Sequence, residues 1–174
     1  LKVAAGVLEG AHALVADVLQ TFANFTVLGR LGREKLSQEI TAAGPNGPVP
    51  VFDPKQVHYL GLSNGGTFGY VHAATAPDLT RAVLGVGGGG FAHFIQRSVV
   101  WNGYRPFLDI MYDDPRHFQL LLSLLQIVID PVDPMSYIEH LVKNRFPGCQ
   151  PLRTSSIIAV NDSQVHNLVS EWVA

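Results

Sequence analysis

The sequence predicts an α/β fold in which short strands form a mostly parallel, doubly wound sheet. Three apolar runs, at residues 57–60, 81–86 and 155–160, have the length and continuous hydrophobicity of strands buried on both faces. Segments with helical spacing separate these runs, and such alternation is typical of parallel sheets. The chain has 174 residues, a length that suits one domain. We therefore predict a single domain over residues 1–174.

The N-terminal part is predicted to hold one helix and one loop. Apolar residues recur at helical spacing from residue 3 to residue 28, which predicts an amphipathic helix at least as far as Ala23. Gly29 and Gly32 interrupt this pattern. Residues 44–54 contain four prolines and two glycines, and this composition predicts a loop rather than a strand or a helix.

The remaining elements follow the first apolar run in order. A glycine-rich turn after residue 60 leads into a predicted helix over residues 67–76, which Pro77 and Asp78 would end. The run at 81–86 is the second strand, and four consecutive glycines follow it. The third strand, at 155–160, is expected to end at Asn161 and Asp162, before a further helix over residues 165–173.

Residues 91–145 have a mostly helical, apolar pattern that four prolines punctuate. The segment DPVDP at 130–134 predicts the end of one helix and the start of another near Ser136. The aspartates of this region are interpreted as turn formers and helix caps: Asp113, Asp114, Asp130 and Asp133. Because the segment is longer than a simple crossover requires, we predict a helical cap over residues 91–150 that covers one end of the sheet.

Composition narrows the class of protein. Charged residues make up 15% of the chain, against about 25% in typical domains, and the net charge is −2. The low charge excludes a disordered chain and a cationic surface for nucleic acid, and it indicates that part of the surface is normally covered.

Cys149, the only cysteine, has no partner for a disulfide or a metal motif. The longest apolar run, residues 118–129, is too short to span a bilayer, so no transmembrane segment is predicted.

The motif that carries chemistry is Gly61-Leu62-Ser63-Asn64-Gly65, which fits the pattern G-x-S-x-G. A sharp turn from a strand into a helix leaves little room beside the serine, which is why glycines are expected on either side. Such a turn raises the Ser63 hydroxyl above the sheet edge, where the N-terminal N–H groups of the helix also point. The Asn64 N–H would then be one donor to an oxyanion, and Gly66 would extend the close packing of helix against strand.

The stretch FDPKQVHYLGLSNGGTFGYVHAATAPDLTRAVLGV resembles the centre of an α/β-hydrolase of the serine esterase or lipase kind. The later stretch SSIIAVNDSQVHNLVSEWVA is similar to that family's penultimate strand and the turn that bears its acid. The resemblance implies that Ser63 is the nucleophile, that Asn64 belongs to the oxyanion hole and that Asp162 orients the catalytic histidine. The order Ser then Asp agrees with the family, whose members carry a lid where residues 91–150 lie.

Two parts of the family pattern are missing. The histidine should follow the acid after a further strand, but only His166 follows Asp162, and its position favours a helix start over a general base. The early strands, whose loop supplies the second oxyanion donor, have no counterpart before Ser63. We therefore interpret the chain as an incomplete hydrolase domain, which a second polypeptide or further segments would complete.

Other interpretations stay open. Gly85–Gly90 also fits G-x-G-x-x-G, with Asp109 about 20 residues later, which would indicate a dinucleotide-binding domain. The chain could instead be a non-catalytic hydrolase-like binding or interaction module. The other histidines lack metal-ligand spacing and are interpreted as packed or surface residues: His12, His58, His72, His93, His117 and His140. Aromatic residues of the cap are interpreted as packing, with an acyl-binding groove as the alternative: Phe91, Phe94, Trp101, Tyr104, Phe107 and Tyr112.

Taken together, the residues predict a serine hydrolase that acts on carboxylic esters through an acyl-enzyme on Ser63. The expected substrate is a small-molecule or lipid-like ester, and neither a cofactor nor a metal is expected. The motif does not indicate the acyl chain, the leaving group or the cellular compartment.

Overall fold

The computed structural model describes residues 2–112 and 114–174. Its α-helices and β-strands, in chain order, are α1 (Lys2–Leu31), α2 (Ser37–Glu39), β1 (Thr41–Gly44), β2 (Gly47–Pro50), β3 (Val57–Leu62), α3 (Asn64–Thr75), β4 (Leu79–Gly85), α4 (Phe91–Arg97), α5 (Arg105–Met111), α6 (Pro115–Ile129), α7 (Ile138–Val142), β5 (Arg153–Ile157) and α8 (Asn167–Glu171). Short 3₁₀ turns and one π-helical turn, Gly32–Leu36, join some of these elements.

The fold is mixed α/β, as predicted, and its main sheet is parallel. The three strands lie in the order β3-β4-β5, so that β4 is central. Gly61 pairs with Leu84, and Leu84 in turn pairs with Ser156. Each strand lies within a few residues of the predicted run, although β5 begins and ends earlier than expected. This register brings the carboxyl ends of all three strands to one edge of the sheet.

Two predictions for the N-terminal part were wrong. Helix α1 continues through Gly29 to Leu31, so this glycine does not interrupt it. Residues 41–50 form an antiparallel hairpin instead of belonging to a loop. Gly47 allows its tight turn because it adopts φ 115°, a conformation that costs glycine little.

Helix α3 packs against β3, β4 and α7. Its buried face contributes Tyr70, Ala73 and Ala74 to a cluster that includes Leu84 of β4. Small side chains let the helix approach the sheet closely. At its C-terminus, Arg145 Nη1 donates to the Ala73 and Ala74 carbonyls at 2.8 and 3.0 Å, which satisfies acceptors that a helix end leaves free.

The segment 91–150 is largely helical, as predicted, and part of it belongs to the core. Helix α6 packs along α1, and α7 packs against α3. Ile129, Val132 and Leu141 are buried in the two hydrophobic clusters. The assignment of the whole segment as a cap stays a prediction, because these residues stabilise the domain as well as covering it.

One helical stretch, Ala5–Glu39, is long and apolar enough to cross a membrane, with 22% of its most apolar window buried against the rest of the protein. Length and composition are the only grounds for this, and a core helix of a soluble protein meets the same criterion. The expectation of no transmembrane segment therefore stays a prediction.

Candidate active site

Ser63 occupies a strained turn between β3 and α3. Its backbone adopts φ 55° and ψ −119°, a combination that is unfavourable for a residue with a Cβ. Two hydrogen bonds hold it there, since the Ser63 N–H donates to the Gly85 carbonyl at 3.0 Å and the Thr67 N–H donates to the Ser63 carbonyl at 2.8 Å. The side chain is exposed at the sheet edge. This is the geometry that the sequence motif predicts for a nucleophile elbow.

The glycines around Ser63 differ in how strictly they are required. A Cβ on Gly61 would lie 2.1 Å from the Gly65 carbonyl oxygen, and one on Gly66 would lie 2.2 Å from the Gly85 carbonyl oxygen. A Cβ on Gly65 would meet only the Tyr59 hydroxyl, at 3.8 Å. Gly61 and Gly66 therefore hold the turn against the sheet, whereas the second glycine of the motif has more room than predicted.

Tyr59 of β3 also holds this turn, a role that no sequence motif predicts. Its hydroxyl donates to the Gly65 carbonyl at 2.7 Å. Burial raises the pKa of the Tyr59 phenol above its ordinary value of 10.0, so the hydroxyl keeps its proton and remains the donor. Asn64, the first residue of α3, presents an N–H at a position where a helix offers no acceptor of its own.

A cavity of about 260 Å³ opens beside Ser63 and Asn64. Its remaining walls come from α4, from the turn after α4 and from the loop before α8: Phe91, Phe94, Ile95, Ser98, Val100, Gln164 and Val165. The lining is mostly apolar apart from Ser63, Asn64, Ser98 and Gln164. Two of the aromatic residues that the sequence assigned to packing, Phe91 and Phe94, thus face the candidate nucleophile.

The turn that carries Asp162 reaches this cavity, but the carboxylate has a local structural role. Asp162 Oδ1 accepts hydrogen bonds from the Gln164 and Val165 N–H groups at 2.8 and 3.0 Å. Asn161, at φ 61°, begins the turn, and its N–H donates to Asn167 Oδ1 at 2.8 Å. Gln164 and Val165 line the cavity, whereas Asp162 is not among the lining residues.

His166 begins α8, as predicted. Its Nδ1 accepts a hydrogen bond from the Leu168 N–H at 3.2 Å, so it serves as a helix N-cap. Within residues 2–112 and 114–174, no histidine ring hydrogen-bonds Ser63 or Asp162; Nδ1 of His12 contacts the Leu8 carbonyl on α1, and Nδ1 of His140 contacts the Asn144 carbonyl just after α7. Among the described residues, Ser63 therefore has no histidine hydrogen-bonded to it.

His72 is packed, as expected, and lies in the body of α3 far from the turn. It is 4% exposed, and its Nδ1 has no hydrogen-bond partner among the described residues. Aromatic rings surround it, with centroid distances of 5.8 Å to Phe22, 5.7 Å to Phe25 and 5.4 Å to Tyr59. Burial lowers the pKa of His72 from its ordinary value of 6.5, because the cation would lose its hydration.

Backbone N–H groups of the glycine run at 85–90 donate hydrogen bonds within the protein. The Gly88 N–H donates to Thr67 Oγ1, and the Gly90 and Phe91 N–H groups donate to the Asp133 carboxylate at 2.9 and 2.7 Å. A Cβ on Gly87 would lie 2.6 Å from Gly66. Asp133 is 1% exposed and also accepts from the Met135 N–H. This aspartate therefore caps its own turn, as predicted, and also binds the N–H groups at the start of α4.

The carboxyl edge of the sheet is where backbone strain is concentrated. Among the described residues, three non-glycine residues have positive φ: Ser63, Val86 and Asn161. They follow β3, β4 and β5 respectively. Ligands of open α/β sheets bind at this edge, and strained residues cluster at functional sites. No group of three His, Cys, Asp or Glu residues within the described ranges could hold a metal ion.

Comparison with protein-family models, with curated proteins and with solved structures finds no match for this chain. The candidate site is therefore defined by its own geometry.

Proposed function

We propose that this protein is a serine hydrolase for carboxylic esters, with Ser63 as its nucleophile and a sheet of the α/β-hydrolase type. The observation that carries the proposal is the strained turn at Ser63, which exposes a hydroxyl at the carboxyl edge of a parallel sheet, beside a mostly apolar cavity. Strain of this kind costs roughly 1–3 kcal/mol. A plain connection between a strand and a helix does not require it.

In the proposed reaction, Ser63 Oγ attacks the carbonyl carbon of the ester while a base takes the hydroxyl proton. The Asn64 N–H donates to the negatively charged oxygen of the tetrahedral intermediate. The intermediate expels the alcohol, which receives the proton from the base, and an acyl group remains on Ser63. Water then attacks this acyl-enzyme with help from the same base, which releases the acid and restores the serine.

The base is proposed to be a histidine that a further segment or a second polypeptide brings to Ser63, with Asp162 as its orienting carboxylate. The position of β3 supports such a completion, because it is an edge strand of the sheet in the part of the chain that the structure describes. Leu60 and Leu62 are 71% and 60% exposed on this edge strand, and natural proteins seldom leave an apolar edge uncovered. Phe25 and Leu28 of α1 line a groove along the same strand, where an added strand would pack.

The cavity favours a compact apolar acyl group. Its volume of about 260 Å³ lies below the range of roughly 300–1,000 Å³ that is usual for pockets that hold drug-sized ligands. Phe91, Phe94, Ile95 and Val100 supply the apolar contact. An acyl chain would therefore lie along α4 while the leaving alcohol faces the open side.

A non-catalytic binding module is the second candidate. It is favoured by the absence of a histidine beside Ser63 among the described residues and by the local hydrogen bonds of Asp162. A dinucleotide-binding domain is disfavoured, because the N–H groups of Gly88, Gly90 and Phe91 already have acceptors within the protein.

Ester hydrolysis by the protein purified from its native cells tests the proposal. We expect hydrolysis of p-nitrophenyl acetate and butyrate, with p-nitrophenyl palmitate a poorer substrate. Ser63→Ala should lower the rate on the order of 10³-fold or more. Ser98→Ala is the matched control, because Ser98 lines the same cavity and should leave more than half of the activity. A folded native protein with no activity, or equal activity in Ser63→Ala, would favour the binding module.

A further inference from the structure

Helices pack on one face of the main sheet, whereas the described part of the chain leaves its other face largely exposed. Helix α3 packs against β3 and β4, and α7 packs against α3 and β5. On the covered face, Ala82 and Leu84 of β4 are 3% and 0% exposed. Side chains alternate along a strand, so the residues next to these two in β4 belong to the opposite face.

The strand register identifies the residues of this opposite face, which we call the open face. They form three rows across β3, β4 and β5: His58, Arg81 and Arg153; Leu60, Val83 and Ser155; Leu62, Gly85 and Ile157. Leu60 and Leu62 are 71% and 60% exposed, and Ile157 is 51% exposed. Parallel sheets are normally buried on both faces, so this exposure indicates a surface that another element covers.

The cations of the open face lie in the row at the amino ends of the strands. Arg81 and Arg153 are both exposed and are neighbours in the register, at the strand spacing of about 4.8 Å. Neither forms an ion pair with a described residue, and the three rows include no Asp or Glu. An occupant that covers this row removes both guanidinium groups from water, which costs free energy unless the occupant brings carboxylates.

The dimensions of the open face suit one α-helix. Its outer strands, β3 and β5, have six and five residues, so they are about 17–20 Å long and lie about 10 Å apart. A helix of about 12 residues has the same length and width. A second copy of this chain that used its own open face would bring arginines and no carboxylate to the contact. The charges therefore favour a different polypeptide.

We propose that the open face binds an amphipathic, acidic helix of another polypeptide. The apolar stripe of this helix covers Leu60, Leu62 and Ile157. Its acidic residues lie at one end of the stripe and pair with Arg81 and Arg153. The proposal is independent of the proposed catalysis.

Binding of designed helical peptides to the full chain of 174 residues tests the proposal. Each peptide carries a fluorescent label and has about 15 residues with a leucine stripe. Two glutamates or two lysines stand at the N-terminal or the C-terminal end of the stripe, which gives four peptides. Fluorescence anisotropy should show saturable binding of a glutamate peptide at micromolar concentration. The matching lysine peptide should bind at least about tenfold more weakly.

Exchange of the charges separates this pairing from a general loss of structure. In a variant with both Arg81→Glu and Arg153→Glu, the lysine peptide should bind more tightly than the glutamate peptide. Leu60→Gln should weaken the glutamate peptide about tenfold, because an apolar contact is lost. Two controls outside the open face should leave both affinities unchanged: Arg97→Glu, at an exposed position of α4, and Ile110→Gln, at a residue of α5 that is 82% exposed.

The proposal is overturned if no glutamate peptide binds a chain that circular dichroism shows to be folded, or if glutamate and lysine peptides bind equally. Sedimentation of the chain alone as a dimer that Leu60→Gln dissociates would assign the open face to a second copy instead. Binding to phosphatidylserine vesicles that Leu60→Gln abolishes, without binding of a glutamate peptide, would assign it to a membrane surface.

Discussion

The turn at Ser63 and the turn at Asp162 lie at the same edge of the sheet, yet they are held in different ways. At Ser63, the close approach of neighbouring backbones requires glycine, because a Cβ on Gly61 or Gly66 would lie 2.1 or 2.2 Å from a carbonyl oxygen. At Asp162, one carboxylate oxygen binds two nearby N–H groups. At the first turn steric packing adds to the backbone hydrogen bonds of Ser63, whereas at the second the main contacts are hydrogen bonds to a side chain. The Ser63 hydroxyl is thus left exposed by its turn, whereas the Asp162 carboxylate is engaged by the backbone of its own turn.

The largest expected effect of this difference is on substitution of the packed glycines. Gly61→Ala and Gly66→Ala should each lower the free energy of unfolding by about 3 kcal/mol or more, because the added methyl meets backbone rather than a flexible side chain. Urea denaturation followed by circular dichroism measures this. Gly65→Ala is the matched control in the same motif, and its cost should stay within about 1 kcal/mol. Equal costs at Gly61 and Gly65 would mean that packing does not specify the turn.

Helix α3, which begins at the elbow, should also make stability sensitive to acid. Burial lowers the pKa of His72, so the unfolded chain takes up a proton near pH 6.5 while the folded protein does not. The free energy of unfolding should therefore fall as the pH drops below about 6.5, until the pH reaches the lower pKa of the folded state.

His72→Leu, measured by denaturation at a series of pH values, should remove this part of the slope. A slope that is the same in His72→Leu would show that other groups cause the loss of stability.

At the turn that carries Asp162, the hydrogen-bond acceptor should contribute more to stability than the charge. Asp162→Ala removes an oxygen that accepts from two N–H groups, and we expect a cost of about 1–2 kcal/mol. Asp162→Asn keeps that oxygen and should cost less than about 0.5 kcal/mol. Thermal unfolding compares the two variants, and an equal loss in both would contradict the local role assigned to the carboxylate.

Strain at Ser63 can be measured through a small change in the free energy of unfolding. Ser63→Gly removes the Cβ that makes φ 55° unfavourable, and we expect a gain in stability of about 1 kcal/mol. Ser63→Ala keeps a Cβ and should not produce this gain. If both variants gave the same stability, the backbone at Ser63 would not be strained.

The sequence was sufficient where a local pattern determines the structure. The apolar runs and the glycine motif predicted the parallel strands and the sharp turn at Ser63, because both depend on residues close together in the chain. The hairpin at 41–50 was missed, since Pro48 and Pro50 reduce the donors of an exposed pair of strands and mimic a loop. The long-range contacts of Asp133 with α4 and of Tyr59 with Gly65 depend on the tertiary fold, and no spacing in the sequence indicates them.

A fluorophosphonate probe tests the central claim most directly, since it forms a covalent bond only with an activated serine. The protein purified from its native cells is treated with the probe and digested, and mass spectrometry locates the adduct. We expect an adduct on Ser63 that is lost when Ser63 is replaced by alanine and kept when Ser98 is replaced. An unmodified Ser63 in the folded native protein, or an adduct on another serine, would contradict it.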